Sequence, residues 1–121
     1  MLLEIVSVWT WGVFRHRGIK VRVPGHAPVV YANAPGIGVV RQTIAEFSCG
    51  RSLHSAPALT TLHPEQVVVR AEQMRGRPYD LLTWNCEHFV ECALGNKAES
   101  QQLRVVACAL IAASLVTRMA S

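Results

Sequence analysis

The pattern of apolar and polar positions predicts a small antiparallel sheet in the first half of the chain. Residues 2–9 are rich in β-branched and aromatic side chains and predict a strand. Residues 16–23 alternate between two kinds of side chain, which indicates a half-buried strand. One side of that strand carries Arg17, Ile19, Val21 and Val23, and the other carries His16, Gly18, Lys20 and Arg22. Turn residues at 23–28 lead into residues 29–33, so these two segments predict an antiparallel pair.

The pattern changes after residue 38 and predicts helices. Residues 39–41 indicate a short strand, and residues 42–50 a short helix that ends at a glycine. No periodicity marks residues 51–63, which we expect to be irregular. Residues 63–76 predict a helix, because Pro64 suits its first turn and Gly76 its end.

A further helix is predicted to begin at Cys86, with Asn85 as its N-cap. Helical spacing divides its residues into two opposite faces. One face carries Cys86, Phe89, Val90, Ala93 and Leu94, and the other carries Glu87, His88 and Glu91. His88 then lies roughly 160° around the helix from Cys86. We therefore expect Cys86 to point into the fold and His88 to point away from it.

The C-terminal segment is an apolar run between Arg104 and Arg118. Its twelve apolar residues, 105–116, would span about 18 Å as a helix, whereas a bilayer core is about 30 Å thick. We expect a helix that packs on the domain, on a partner or on a membrane surface. The sequence thus predicts a domain over residues 1–104 and an apolar C-terminal helix over residues 105–121.

Composition narrows the class of protein. The chain has 121 residues, of which 50% are hydrophobic and 17% charged, which suits one domain with a real core. The net charge is +4, but the basic residues are scattered, so nucleic acid is not an expected partner. The four cysteines lack metal-site spacing, and the apolar start has no basic residue before it. We expect free thiols, no metal or organic cofactor, and a cytoplasmic protein that can contact membranes.

Cys86 is the residue with the clearest chemistry. A thiol at a helix N-terminus has its thiolate stabilised by free N–H groups and by the helix dipole, and a histidine elsewhere in the fold would act as its base. The candidates are His16, His26, His54 and His63. A strand holds a base more rigidly than a loop does, which favours His16. The residues alone fit equally well with Cys86 as a buried packing thiol.

The stretch YDLLTWNCEHFVECALGNKAESQQLR, residues 79–104, resembles the signature of the lecithin:retinol acyltransferase-like family, a permuted branch of the papain/NlpC-type cysteine enzymes. HRGIKV resembles that family's first histidine strand, and VVYANAPGIGVVRQTIAEFSCG the segment after it. The resemblance implies an α+β, permuted papain-like fold: a small antiparallel sheet packed on helices, with the nucleophile at a helix N-terminus.

The resemblance also implies catalytic roles. Cys86 would be the nucleophile and His16 its base, with Tyr31 in the position of a third, orienting residue. Asn33 and His26 are alternatives to Tyr31, which stands where relatives commonly have a second histidine. The implied reaction transfers an acyl group from a lipid ester or amide, through a thioester, to water or an amine.

Two other functions fit the same features. A thiol peptidase or isopeptidase would share the nucleophile, although Glu87 favours the acyltransferase-like family. A binding module that keeps the fold without catalysis is the third reading, because Tyr31 replaces a histidine.

Overall fold

The computed structural model describes residues 1–10, 12, 14–97 and 100–120, without the side chains of residues 101, 119 and 120. It shows a five-stranded sheet whose neighbouring strands are all antiparallel, in the order β4-β3-β2-β1-β5. The strands are β1 Leu2–Thr10, β2 Phe14–Arg22, β3 Val29–Ala34, β4 Gly38–Thr43 and β5 His54–Pro57. The predicted α+β class and the antiparallel pairing of β2 with β3 are confirmed.

The described residues also form four helices: α1 Ile44–Ser48, α2 Pro64–Gln73, α3 Cys86–Ala93 and α4 Gln101–Ala120. Each of the first three begins where the sequence supplies a suitable first residue. Thr43 caps α1 by accepting a hydrogen bond from the N–H of Glu46, Pro64 opens α2, and Asn85 caps α3.

The two faces of the sheet bury different layers. On one, which we call the helix face, strand residues pack against Val67 of α2 and Phe89 and Val90 of α3. These strand residues are Leu3, Ile5, Ile19, Val21, Tyr31 and Val39. The opposite face, which we call the α1 face, packs against Phe47. Its strand residues are Val6, Val8, Val30 and Ala32. The alternation predicted for β2 therefore assigns its two sets of side chains to different layers.

The prediction that residues 51–63 are irregular was wrong in part, because they contain β5. This strand pairs with β1 at the edge of the sheet, with His54 opposite Ser7. All four of its residues are exposed and one is a proline, so it carries no alternation that sequence reasoning could detect.

The C-terminal helix α4 is exposed from residue 104 to residue 118. It begins at Gln101, within the predicted domain of residues 1–104. The division of the chain at residue 104 stays a prediction. Among the described residues, no helix is both long enough and apolar enough to cross a membrane.

Candidate active site

The first turn of α3 is held by reciprocal hydrogen bonds. The side-chain oxygen of Asn85 accepts from the N–H groups of Glu87, at 3.0 Å, and His88, at 3.2 Å. In return, Nδ1 of His88 accepts from the N–H of Asn85 at 3.0 Å. This arrangement is a capping box in which histidine replaces the usual glutamate. It fixes the backbone on either side of Cys86.

A buried asparagine of β3 attaches this turn to the sheet. The amide nitrogen of Asn33 donates to the carbonyl of Trp84 at 2.7 Å and to that of Asn85 at 3.3 Å. Asn33 is fully buried and is a second donor to each carbonyl, since Trp84 also accepts from the N–H of Asp80 and Asn85 from the N–H of Phe89. Asn33 thus positions the residues that immediately precede Cys86.

The Cys86 thiol lies against the backbone of β2. Its Sγ is 3.7 Å from the carbonyl oxygen of Arg15, and the side chain is 8% exposed. Burial, followed by the nearby Glu87 carboxylate, raises the pKa of the thiol above its ordinary value. The N–H groups of Arg17 and Glu87 and the Arg17 guanidinium act in the opposite direction. In this conformation Cys86 is a protonated thiol at neutral pH.

Glu87 links three elements beside the thiol. Its carboxylate pairs with Arg17 of β2 at 3.6 Å and accepts from the hydroxyl of Ser100 at 2.8 Å. The side-chain amide of Gln102, in the first turn of α4, donates to the same carboxylate at 2.9 Å and to the carbonyl of Arg15 at 3.0 Å. The beginning of α4 is therefore tied to the strand and helix that hold Cys86.

The expectation that His88 points away from the fold was wrong. Both Glu87 and His88 are buried, at 4% and 8% exposure. His88 caps its own helix, whereas Glu87 is covered by Arg17 and by the segment that leads into α4. A helical wheel separates two faces but does not show that a short helix is covered on both.

His16 and Cys86 lie on opposite faces of the sheet. The His16 ring stacks on Phe47 with 4.9 Å between ring centroids, which places it on the α1 face. Burial, and secondly the charge of Arg51, lowers its pKa to about 4. His16 is thus a neutral imidazole at pH 7, and the structure does not bring it to the thiol.

The two candidate orienting residues of β3 lie on the helix face, away from His16. The hydroxyl of Tyr31 donates to Glu72 of α2, whose carboxylate also pairs with Arg41. Burial, with this hydrogen bond, raises the pKa of Tyr31. Asn33 bonds to the backbone before Cys86, as described above. In this conformation neither contacts the His16 imidazole.

The three other candidate histidines, His54, His26 and His63, lie in different parts of the fold relative to Cys86. His54 faces the same side of the sheet as Cys86, because it pairs with Ser7, and it lines a cleft of about 570 Å³. Arg15, Arg17 and Glu87, which surround the thiol, line the same cleft. His26 is exposed in the turn at the other end of β2, and His63 caps α2. His54 is therefore the histidine that shares a cavity with the neighbours of Cys86.

The four cysteines are free thiols, and two of them are exposed. Within the described part of the chain, no three His, Cys, Asp or Glu side chains are grouped so as to hold a metal ion.

The fold and site together define an α+β protein with a helix-capped, buried thiol at one end of an antiparallel sheet. Residues 13–98, more than half of the chain, match the family model described as lecithin retinol acyltransferase. The chain therefore belongs to the lecithin retinol acyltransferase family, which confirms the resemblance seen in its sequence. Membership points to acyltransferase- or hydrolase-type activity in general. No curated protein and no solved structure matches the chain.

Proposed function

We propose that the protein is a thiol acyltransferase or hydrolase in which Cys86 forms a thioester with the acyl group of a lipid ester or amide. The thiolate attacks the acyl carbonyl carbon, and the bond to the alcohol or amine breaks as that group takes up a proton. Water or an amine then gives a proton to the base as it attacks the thioester, and Cys86 leaves as a thiolate. The proposal includes a permuted papain-like arrangement of the thiol and its base.

The observation that carries the proposal is the position of Cys86 at the capped start of α3. The N–H groups of Glu87 and Arg17 act to lower the pKa of its thiol, against the effect of burial. Such groups stabilise a thiolate, and the same helix end can stabilise the oxyanion that forms when an acyl group is attacked. A thiol that only filled space would gain nothing from these donors.

The proposed base is His16, and it requires a change at the end of β2. Residues 14–17 extend beyond the last pair with β3, Gly18 and Ala32, so this end is paired in the sheet only with β1. The carbonyl of Arg15 already touches the thiol. If this segment shifted its pairing with β1 by one residue, the His16 side chain would move from the α1 face to the helix face. Leaving Phe47 and Arg51 would also return its pKa toward the ordinary value of about 6.5.

His54 is a second candidate for the base. It is on the correct face and lines the cleft with Arg17 and Glu87, so it needs no change in strand register. Its exposure, at the first position of the edge strand β5, makes it a less rigid base than a covered histidine. Substituting each histidine separately distinguishes the two.

The test is turnover of an acyl ester by purified variants. We expect Cys86→Ser and Cys86→Ala to lower acyl release at least ~10³-fold, because they remove the nucleophile. His16→Gln should lower it to a similar extent if His16 is the base, and His54→Gln should do so instead if His54 is. Cys92→Ala is the matched control, since Cys92 lies on the same helix away from its start.

Circular dichroism and a urea titration of each variant show whether the fold is kept. Full turnover in a folded Cys86→Ala protein would refute the proposed mechanism. Equal loss in Cys92→Ala would indicate damage to the fold rather than chemistry.

We also propose that α4 contacts a membrane surface. Residues 105–117 carry no charge, and large apolar side chains lie on every side of the helix rather than along one stripe. Exposed apolar area of this kind marks an interaction surface, and the arginines at both ends of the uncharged run suit an anionic lipid surface. This contact would bring the domain to the lipid acyl groups on which Cys86 acts.

A further inference from the structure

Exposed apolar side chains collect at one end of the sheet. Antiparallel order places the β1–β2 connection and the β3–β4 turn at the same end, where Trp9, Phe14 and Ile37 are 48%, 37% and 65% exposed. Leu81 and Leu82, 59% and 70% exposed, lie in the turn just before the α3 cap. We call these five residues, Trp9, Phe14, Ile37, Leu81 and Leu82, the apolar rim.

Part of the rim flanks the Cys86 end of the molecule. Arg15, next to Phe14, contacts the Cys86 sulphur through its carbonyl, and its guanidinium lies 5.1 Å from the ring centroid of Trp9. Asn85, which caps the Cys86 helix, donates to the carbonyl of Leu81 at 3.1 Å. The rim side chains therefore stand on both sides of the strand and turn that hold the thiol.

The first turn of α4 is fixed to β2 next to the rim. Gln102 bonds to both the N–H and the carbonyl of Arg15, the residue that follows Phe14, at 2.8 and 3.0 Å. Arg15 lies over Trp9 and adds a positive charge at this end, whereas the charge of Arg17 is offset by its ion pairs with Glu87 and Glu91. Aromatic and basic side chains together are typical of segments that lie at the interface of a bilayer.

We propose that the apolar rim is a second membrane-docking surface, which seats the Cys86 end of the domain on a bilayer beside α4. This inference rests on the proposed membrane contact of α4, and it adds an orientation. The rim enters the headgroup region, and the cleft lined by Arg15 and Arg17 opens at the lipid surface. A lipid acyl group would then reach the thiol without leaving the membrane plane.

The test measures partition of the full chain onto vesicles of phosphatidylcholine and phosphatidylserine in a 7:3 ratio. Trp9→Ser/Leu82→Ser should weaken partition about tenfold, because the variant loses two apolar side chains that would be partly buried in lipid. The matched control is Leu59→Ser/Val69→Ser, which removes equally exposed apolar groups elsewhere. The carbonyl of Leu59 accepts a hydrogen bond from the side-chain amide of Asn96, beyond the C-terminal end of α3. The vesicle partition of the control should therefore stay within twofold of the wild-type value.

A second arm separates docking from chemistry. Trp9→Ser/Leu82→Ser should lose turnover of a vesicle-embedded ester while keeping turnover of a water-soluble short-chain ester. Wild-type partition in this variant, alongside loss in Leu110→Ser/Ile111→Ser/Leu115→Ser, would overturn the rim proposal and keep that of α4. Absence of vesicle binding by the wild type would overturn both. Failure to cleave the soluble ester would count against the proposed function, whereas the partition result would still decide the rim.

Discussion

At the scale of single residues, the main conflict is between the Cys86 thiol and its surroundings. Burial and the Glu87 carboxylate favour the protonated thiol, while the Arg17 guanidinium and two N–H groups favour the thiolate. A nucleophile needs the second state. The reaction proposed for Cys86 therefore requires a change in the charge or the burial around the sulphur.

The Glu87 carboxylate can be neutralised without changing its shape. We expect Glu87→Gln to lower the pKa of Cys86, so that alkylation by iodoacetamide begins at a lower pH. Mass spectrometry of each cysteine peptide measures this directly. Glu91→Gln is the control, because Glu91 also pairs with Arg17 but is not among the charges that shift the thiol pKa. An unchanged or higher midpoint in Glu87→Gln would show that burial alone sets the thiol state.

His16 makes the stability of the fold depend on pH. Its pKa is about 4 in the folded chain and about 6.5 when unfolded, so between these values the unfolded state binds more protons. The free energy of unfolding should therefore fall as the pH drops below about 6.5. At pH 4.5 the loss due to His16 should be about 2–3 kcal/mol. Urea titrations of wild type and His16→Gln across this range measure the difference.

The quantity to compare is the stability difference between His16→Gln and the wild type. We expect this difference to change in favour of the variant by about 2–3 kcal/mol between pH 7.5 and pH 4.5. A difference that stays constant with pH would mean that His16 is not held neutral on the α1 face.

At the scale of elements, the cap of α3 both stabilises the helix and aims the thiol. Asn85→Ala should lower the free energy of unfolding by about 1–2 kcal/mol, because the Glu87 and His88 N–H groups lose their acceptor. It should also change the alkylation rate of Cys86. Thr43→Ala removes the corresponding cap of α1 and should cost a comparable amount. The alkylation rate of Cys86 in Thr43→Ala should equal that of the wild type. If Cys86 were alkylated at the same rate in Asn85→Ala and in Thr43→Ala, the α3 cap would have no influence on the thiol.

Sequence reasoning located most elements because their signals are local. Pro64 and Asn85 mark helix starts, and the alternation along β2 correctly separated His16 from Arg17 and Ile19. The layer that covers each side could not be predicted, since that depends on where α1 and α3 pack. His16 consequently sits under Phe47, and β5, which has no alternation, was missed.

At the scale of the whole molecule, α3 and the sheet share one core on the helix face. Phe89 is fully buried there and meets Trp84 edge-on, with ring centroids 6.4 Å apart. Phe89→Ala should lower the free energy of unfolding by about 3–5 kcal/mol, because a cavity forms between the helix and the strands. Val69→Ala, on an exposed position of α2, should change it by less than about 0.5 kcal/mol. Similar losses in the two variants would contradict this core.

The same arrangement concentrates the chemistry at one end of the molecule. Cys86, the cleft, the apolar rim and the first turn of α4 all meet around the open end of β2. An acyl group delivered from a lipid surface would therefore approach the thiol and its neighbours together. The proposed function requires that Cys86 accept that group.

The most direct measurement is mass spectrometry of the full chain after brief incubation with an acyl ester and acid quenching. We predict one acyl group, on the Cys86 peptide alone, which hydroxylamine removes as expected for a thioester. His16→Gln or His54→Gln should reduce its rate of formation. Absence of the adduct while ester is being turned over, or equal labelling of Cys49, Cys92 and Cys108, would contradict a Cys86 nucleophile.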